Sequence, residues 1–213
     1  MTRPAAGGGR WVEVSPERLA GWLGGFAERH GETSSTYADD VVTVVAADAS
    51  VAELHVPFPP LDGDPVTHAL RNRKVGVLLV RLGGYAAGVF AGTTLVTSKV
   101  GSRQVHGRSA AGGQSQQRFA RRRVGQARVA LDAAADNAVR VLLPHVESLD
   151  AVVTGGERTA VETVLADRRL ASLLPLVTSR LIDVPDPRLV VLQSTPALFR
   201  AVRIRLVDPE NAD

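Results

Sequence analysis

The apolar residues Leu19, Trp22, Leu23 and Phe26 fall at i, i+3, i+4 and i+7, the one-sided stripe of an amphipathic helix. Just upstream, Ser15-Pro16-Glu17 supplies an N-cap serine, a proline at the first helical position and an acid in the first turn. Gly31 ends that helix. The runs VVTVVAA (41–47) and VAELHVPF (51–58) read as strands, and PPLDGDP (59–65) as a loop. Three more strands are predicted at 75–82, 85–91 and 94–100. Gly83-Gly84 is the expected tight turn between the first two, since both central residues of such a turn can take positive φ.

A second helical stripe is longer. Val124, Ala127, Leu131, Ala134, Ala138 and Val141 are spaced alternately three and four apart, one continuous buried face. Ser115 is the expected N-cap of this helix, which runs to about 143 before Pro144 stops it. Beyond it, 151–154 reads as a short buried strand, and Gly155-Gly156 as the opening of a helix that holds Val161, Val164 and Leu165. Residues 170–174 form a further helical piece. Strands follow at 176–184 and 199–207, and PRLVVLQS between them fits no single element. Strands alternating with helices predict an α/β (α+β) fold, a sheet with helices packed on it. One domain is expected over 11–208, after a leader at 1–10 that lacks an apolar signal-peptide core.

Charge changes the picture. The net charge is only +3, yet from 65 to 131 there is no Asp or Glu at all. That segment carries twelve basic residues, while the rest of the chain carries 13 basic and 22 acidic ones, a net of −9. A chain so polarised presents one side to a polyanion, and RNA is the reading such a footprint favours. Of the 25 basic residues only Lys74 and Lys99 are lysines, and arginine suits forked contacts to phosphate. The chain has no cysteine, which removes disulfides and thiol chemistry and fits a reducing, cytoplasmic setting. The most apolar stretch, near 75–96, is broken by Arg81 and two glycines, so it reads as strands and no membrane span is expected.

Conventional catalysts are missing from the pattern. The five histidines are scattered with no i, i+3 or i, i+4 pair, so no metal site and no cofactor are predicted. No Gly-x-Ser-x-Gly elbow and no dinucleotide fingerprint occur. What stands out is HGRSAAGGQSQQRFARRR, residues 106–123. It sets Gln114 on Gly112 and Gly113 and follows them with arginines. A bare Gly-Gly-Gln is also what a flexible linker carries. Glutamine does not titrate near neutral pH, but its amide can hold a water in line with an electrophile. A backbone N–H beside it can donate to a developing oxyanion. The glycines let the backbone approach a substrate without a Cβ in the way. The loop's composition predicts a mobile finger.

The wider string is more specific than the tripeptide. His106-Gly107-Arg108, then Gly112-Gly113-Gln114-Ser115, then Arg118-Phe119-Ala120-Arg121, on a strand–loop–helix frame, resembles the central domain of archaeal and eukaryotic class-one translation release factors. The resemblance covers about 75–184. Ser109, Ala110 and Ala111 are inserted relative to that pattern, and neither flank has room for a stop-codon-reading domain. The chain therefore looks most like the stand-alone Vms-type peptidyl-tRNA hydrolases of ribosome-associated quality control, in a bacterial, actinobacterial branch.

That resemblance implies a ribonuclease-H-like mixed sheet with helices on its faces. It implies a glutamine loop delivered to the peptidyl transferase centre of the large ribosomal subunit, where Gln114 positions the water that attacks the peptidyl-tRNA ester. Gly112 and Gly113 would permit the approach. Lys99, Arg103, His106, Arg108, Ser115, Arg118, Arg121, Arg122, Arg123 and Arg128 would meet tRNA or ribosomal RNA, contacts that orient without reading sequence. The protein would be a monomer off the ribosome. Two other readings stay open: cleavage of the tRNA 3′ end, and a non-catalytic RNA- or ribosome-binding adaptor.

Overall fold

The computed structural model describes residues 3–81, 83–102 and 114–209, with the side chains of its long helix described from 125 onward. The chain forms two compact units, Met1–Arg71 with Ala197–Asp213, and Asn72–Pro196.

The first unit contains β1 (Arg3–Pro4), β2 (Arg10–Val14), α1 (Pro16–His30), β3 (Thr33–Tyr37), β4 (Val41–Ala46), β5 (Val51–His55), α2 (Pro65–Leu70) and the chain's last strand, β11 (Val202–Val207). Its six strands pair antiparallel in the order β1-β2-β11-β5-β4-β3. Side chains alternate between the two faces. Val42, Val44, Ala52, Leu54, Val202 and Ile204 all bury on one face, against Leu19 and Phe26 of α1 and Ala69 of α2. The predicted stripe of α1 is thus the one that seats it.

Several expectations are corrected in this unit. Residues 3–9, read as a leader, fold back: β1 pairs with β2, and the Arg205 guanidinium donates to the carbonyls of Gly7 (2.8 Å) and Gly8 (3.3 Å). The 59–65 loop runs into a helix that the pattern hid. Asp64 caps it by accepting from the N–H groups of Val66 (2.9 Å) and Thr67 (3.1 Å), and six residues are too few to show a period. The hydroxyl-rich β3, exposed along its whole length, exists through pairing with β4 and has no apolar alternation to announce it. The strand expected from 199 starts at Val202, because Phe199 ends a short helix, Pro196–Phe199.

The second unit contains β6 (Lys74–Arg81), β7 (Gly84–Ala91), β8 (Thr94–Ser102), α3 (Gln114–Leu142), a 3-10 turn (Leu143–Ser148), β9 (Ala151–Gly156), α4 (Arg158–Leu165), a second 3-10 stretch (Arg168–Leu176), β10 (Val177–Ile182) and α5 (Leu189–Ser194). Its sheet runs β10-β9-β6-β7-β8. β6, β7 and β8 are antiparallel neighbours, while β9 and β10 run parallel to β6 and to each other. This is the mixed order expected of a ribonuclease-H-like sheet. Positions 75–80 of β6 are all buried, as a central strand covered on both faces must be. On one face Leu78, Val80, Ala87 and Val89 meet Ala134, Ala135 and Ala138 of α3 and Val161 and Val164 of α4. On the other, Leu192 of α5 is fully buried over Gly88. α5 occupies the stretch that fitted no element.

Local corrections here follow from glycine and proline chemistry. Arg81 pairs with Gly84, so Gly83, at φ 101°, serves the turn while Gly84 already belongs to β7. Ser115 lies inside α3, whose first residue is Gln114. Gly155 and Gly156 end β9, and α4 starts two residues later at Arg158. Among the described residues no helix is long and apolar enough to cross a membrane.

Gly155 marks the tightest packing of β9 against β10. A Cβ there would sit 2.6 Å from Cγ1 of Ile182 and 2.8 Å from Cδ2 of Leu79. Gly155→Ala is therefore expected to destabilise the protein by about 1–3 kcal/mol, read as a lowered midpoint in urea unfolding with an unchanged slope.

Candidate functional site

β8 and α3 flank the segment that carries the predicted chemistry. β8 is the edge strand of its sheet, and its last residues are held from beneath: the ring of Tyr85 lies against Gly101, where any Cβ would overlap it. α3 then returns across β7 and β8. Its described side chains from 125 to 129 are exposed or half-buried, and full burial begins at Ala130. The alanines Ala130, Ala134, Ala135 and Ala138 are all buried. Small residues on the helix face let the backbone of α3 approach the sheet closely.

The expected site residues divide into three groups. Arg103, His106, Arg108, Gly112 and Gly113, with the expected mobility of their loop, lie outside the described residues. Gln114, Ser115, Arg118, Arg121, Arg122 and Arg123 fall on the backbone of α3, with side chains outside the described set. Lys99 and Arg128 are fully described, both exposed, on β8 and α3. At about 100° per residue, positions 114, 118, 121 and 128 share an arc of about 80° on α3. The buried Ala134, Ala138 and Val141 lie on the opposite side. Gln114 stands at the first position of the helix, about 21 Å along its axis from Arg128. The first N–H groups of a helix have no partner within it and carry the positive end of the dipole. That arrangement is suited to an anionic ligand.

Two polar contacts anchor α3, and the sequence reading passed over both. Asn137 is buried to 3% exposure within the apolar stripe, and its Nδ2 donates to the Lys99 carbonyl at 2.8 Å. This bond ties α3 to the outer strand just before the loop leaves. Its signal in the sequence was an amide inside an alanine stripe. Arg169 bridges Asp136 of α3 (2.8 Å) and Asp167 (2.7 Å). The Arg169 guanidinium, through its hydrogen bonds, pushes the Asp167 carboxyl down to about 2.

One cluster in the first unit has the composition of a nucleophilic triad. The Nδ1 atom of His30 meets Oδ2 of Asp48 at 2.8 Å and Oγ of Ser50 at 3.0 Å. A triad needs the carboxylate and the hydroxyl on opposite ring nitrogens. Here both sit on the same one, and Ser50 is buried, so the cluster braces the β4–β5 turn. Among the described residues no group of three or more histidines or carboxylates is placed to hold a metal.

A family model described as "Actinobacteria/chloroflexi VLRF1 release factor" matches residues 73–205. No curated protein matches the chain. Among solved structures, the chain is similar to one titled "Archaeal protein", at 15% identity and a TM-score of 0.42, over 73% of this chain and 51% of that one. It is also similar to the archaeal translation termination factor aRF1, at 14% identity and a TM-score of 0.44, over 89% of this chain and 66% of that one. The chain thus spans about half of the first and just under two thirds of the second.

Asn137→Ala removes the donor and leaves the Lys99 carbonyl unsatisfied. A loss of about 1–3 kcal/mol is expected, together with faster amide exchange in β8 than in β6. The Asp167 carboxyl should titrate near 2 by carbon NMR and rise toward the ordinary range in Arg169→Ala. Since the folded value lies below the unfolded one, the stability this carboxylate contributes is present above about pH 4 and is lost as pH falls through about 2.

Proposed function

The chain belongs to the actinobacterial and chloroflexi VLRF1 release factors, and from that premise we propose that it hydrolyses peptidyl-tRNA on stalled ribosomes without a stop codon. A member of this family is a ribosome-associated factor of translation termination or rescue, acting in the cytoplasm where ribosomes are. Gln114 is the reacting tip. Its amide holds the water that attacks the ester carbonyl joining the nascent peptide to the tRNA. Gly112 and Gly113 allow the backbone to reach the ester, and a backbone N–H of the loop donates to the oxyanion or the departing ribose oxygen. The water's oxygen becomes part of the peptide carboxylate. Of its two protons, one ends on the departing ribose oxygen of the 3′-terminal nucleotide and the other is released to solvent as the peptide carboxyl group ionises.

The observation that carries this reading is the family match over 73–205, which contains the whole His-Gly-Arg to Phe-Ala-Arg string. The charge distribution supports it: the segment without carboxylates, 65–131, brackets the same string. Arg103, Arg108, Arg118, Arg121, Arg122, Arg123 and Arg128, with Lys99, His106 and Ser115, contact the tRNA acceptor end and ribosomal RNA. No metal or organic cofactor enters the reaction, and the large subunit presents the ester in the peptidyl transferase centre.

The test uses purified ribosome-bound peptidyl-tRNA lacking any stop codon. Wild type should release a peptide with a free carboxyl terminus, and Gln114→Ala should release it about 100-fold more slowly, the loss typical of a missing transition-state contact. A peptide carrying nucleotides would mean cleavage of the tRNA end. Unchanged release by the variant would overturn the role of the amide.

A further inference from the structure

Residues 31–40 are exposed without a break. They hold β3, which ends its sheet: β4 pairs with one of its edges, and among the described residues no strand pairs with the other. Such an edge carries a row of backbone donors and acceptors, and proteins blunt it with lysine, proline, a bulge or an inward-pointing charge. β3 has none of these. It reads Thr33-Ser34-Ser35-Thr36-Tyr37, all uncharged, and its register on β4 runs unbroken from Thr33 on Ala46 to Tyr37 on Val42.

The backbone groups that face outward can be named. Ala38 donates to the Val41 carbonyl at 2.9 Å, so these two form a hydrogen-bonded pair at the turn. Bonded and non-bonded pairs alternate along an antiparallel ladder. Thr36 with Thr43 and Ser34 with Val45 are then the bonded pairs. The far side of β4 agrees. Ala46 donates to the Ser50 carbonyl at 2.9 Å, which by the same alternation directs Val42, Val44 and Ala46 at β5 and leaves Thr43 and Val45 for β3. The N–H and C=O groups of Thr33, Ser35 and Tyr37 therefore point off the edge, evenly spaced about Ser35. Their side chains share the face of Val42 and Val44, yet all three are exposed, Tyr37 to 58%.

We propose that β3 is a self-association edge, to which a second copy of this chain adds its own β3 antiparallel, across a twofold axis at Ser35. Such an axis stands perpendicular to the sheet and keeps every side chain on its own face. Opposed residues also share a face, so only positions an even number apart can pair. Of these registers, the one centred on Ser35 engages every outward group: Ser35 with the partner's Ser35, Thr33 with the partner's Tyr37, and Tyr37 with the partner's Thr33. Each bonded pair exchanges two hydrogen bonds, and no outward donor or acceptor of β3 is left over. On the other face Ser34 meets the partner's Thr36, a hydroxyl pair of the kind that supports cross-strand pairing. Glu32 stands opposite the partner's Ala38, so no like charges meet directly. A foreign strand would have to supply a matching row of its own, whereas a second copy carries it by identity. The pairing uses the edge of both copies and so stops at two. The resemblance implied a monomer off the ribosome. This edge argues for a dimer that forms as concentration rises, since one pair of short strands is small beside the roughly 1,600 Å² of a standard interface.

Sedimentation velocity of the full chain should show monomer giving way to dimer between about 5 and 500 µM, with no larger species. Over the same range, amide exchange at Thr33, Ser35 and Tyr37 should slow, while Ser34 and Thr36, already bonded to β4, should not change. Ser35→Pro removes an outward donor and no bond to β4, so it should abolish the dimer and leave the urea midpoint nearly unmoved. Because the chain has no cysteine, the register can be read by cross-linking. Ser35→Cys would face its own copy with Cα atoms about 5.5 Å apart, within reach of a disulfide. It should oxidise to a covalent dimer roughly tenfold faster than Ser34→Cys, whose copy lies a diagonal away and beyond that reach. A chain that stays monomeric throughout, dimers that survive Ser35→Pro, or equally fast cross-linking of the two cysteine variants would each overturn the proposal. Slowed exchange at Thr33, Ser35 and Tyr37 only when ribosomes are added would give the edge to a ribosomal partner and overturn self-pairing as well.

Discussion

The packing of the α3 alanine stripe on β7 is the contact from which the second unit's arrangement follows. Ala134, Ala135 and Ala138 meet Ala87 and Val89, and small side chains on both surfaces bring helix and sheet close. Close approach makes the contact intolerant of rotation, because a turn of the helix would push Arg128 or Asp132 into the sheet. A helix is a stiff rod, so this contact sets the phase of the described part of α3, from 125 onward. Asn137 adds register to this, since an amide that must reach one particular carbonyl resists sliding as well as rotation.

The two units solve the same burial problem in different ways. The second covers its sheet on both faces, and its central strand accordingly reads VGVLLV with no polar break. In the first, the unit's own helices pack on one face, and its strands alternate. In β11, Val202, Ile204 and Leu206 go to the core while the half-buried Arg203 and Arg205 go to the opposite face. Such alternation leaves a chemically specified surface behind, which is why Trp11, His55 and Arg203 can be brought together from three strands.

Electrostatics in this chain is organised by segment as well as by pair. The stretch 65–131 contains no carboxylate of its own, and Arg71 at its edge pairs with Asp62 at 2.7 Å, just upstream; outside it Arg169, Arg200 and Arg205 have carboxylates at 2.7–3.1 Å. The exposed pair of Arg169 adds little stability, while the Arg200 and Arg205 guanidinium groups are half-buried. The placement of these pairs matters more, because they occupy cations that would otherwise compete for a polyanion.

The elements with long periods were legible from the residues alone. Residues 16–30 and the C-terminal part of α3 declared themselves through stripes of four or more apolar positions, and β6 through its unbroken run, because each buries a face that its own sequence must supply. The Gly-Gly-Gln string and its arginines were equally plain, since that chemistry is carried by identity and order. What the residues alone did not reveal depends on partners distant in the chain. β1 and β3 have no apolar pattern and exist through pairing with β2 and β4, and α2 is held by one aspartate cap. Asn137 gained its meaning from a carbonyl 38 positions away. Trp11, His55 and Arg203 became one surface only when β11 inserted between β2 and β5. Local sequence determines which face a segment must hide, and only the folded sheet decides which residues then stand side by side on the face it shows.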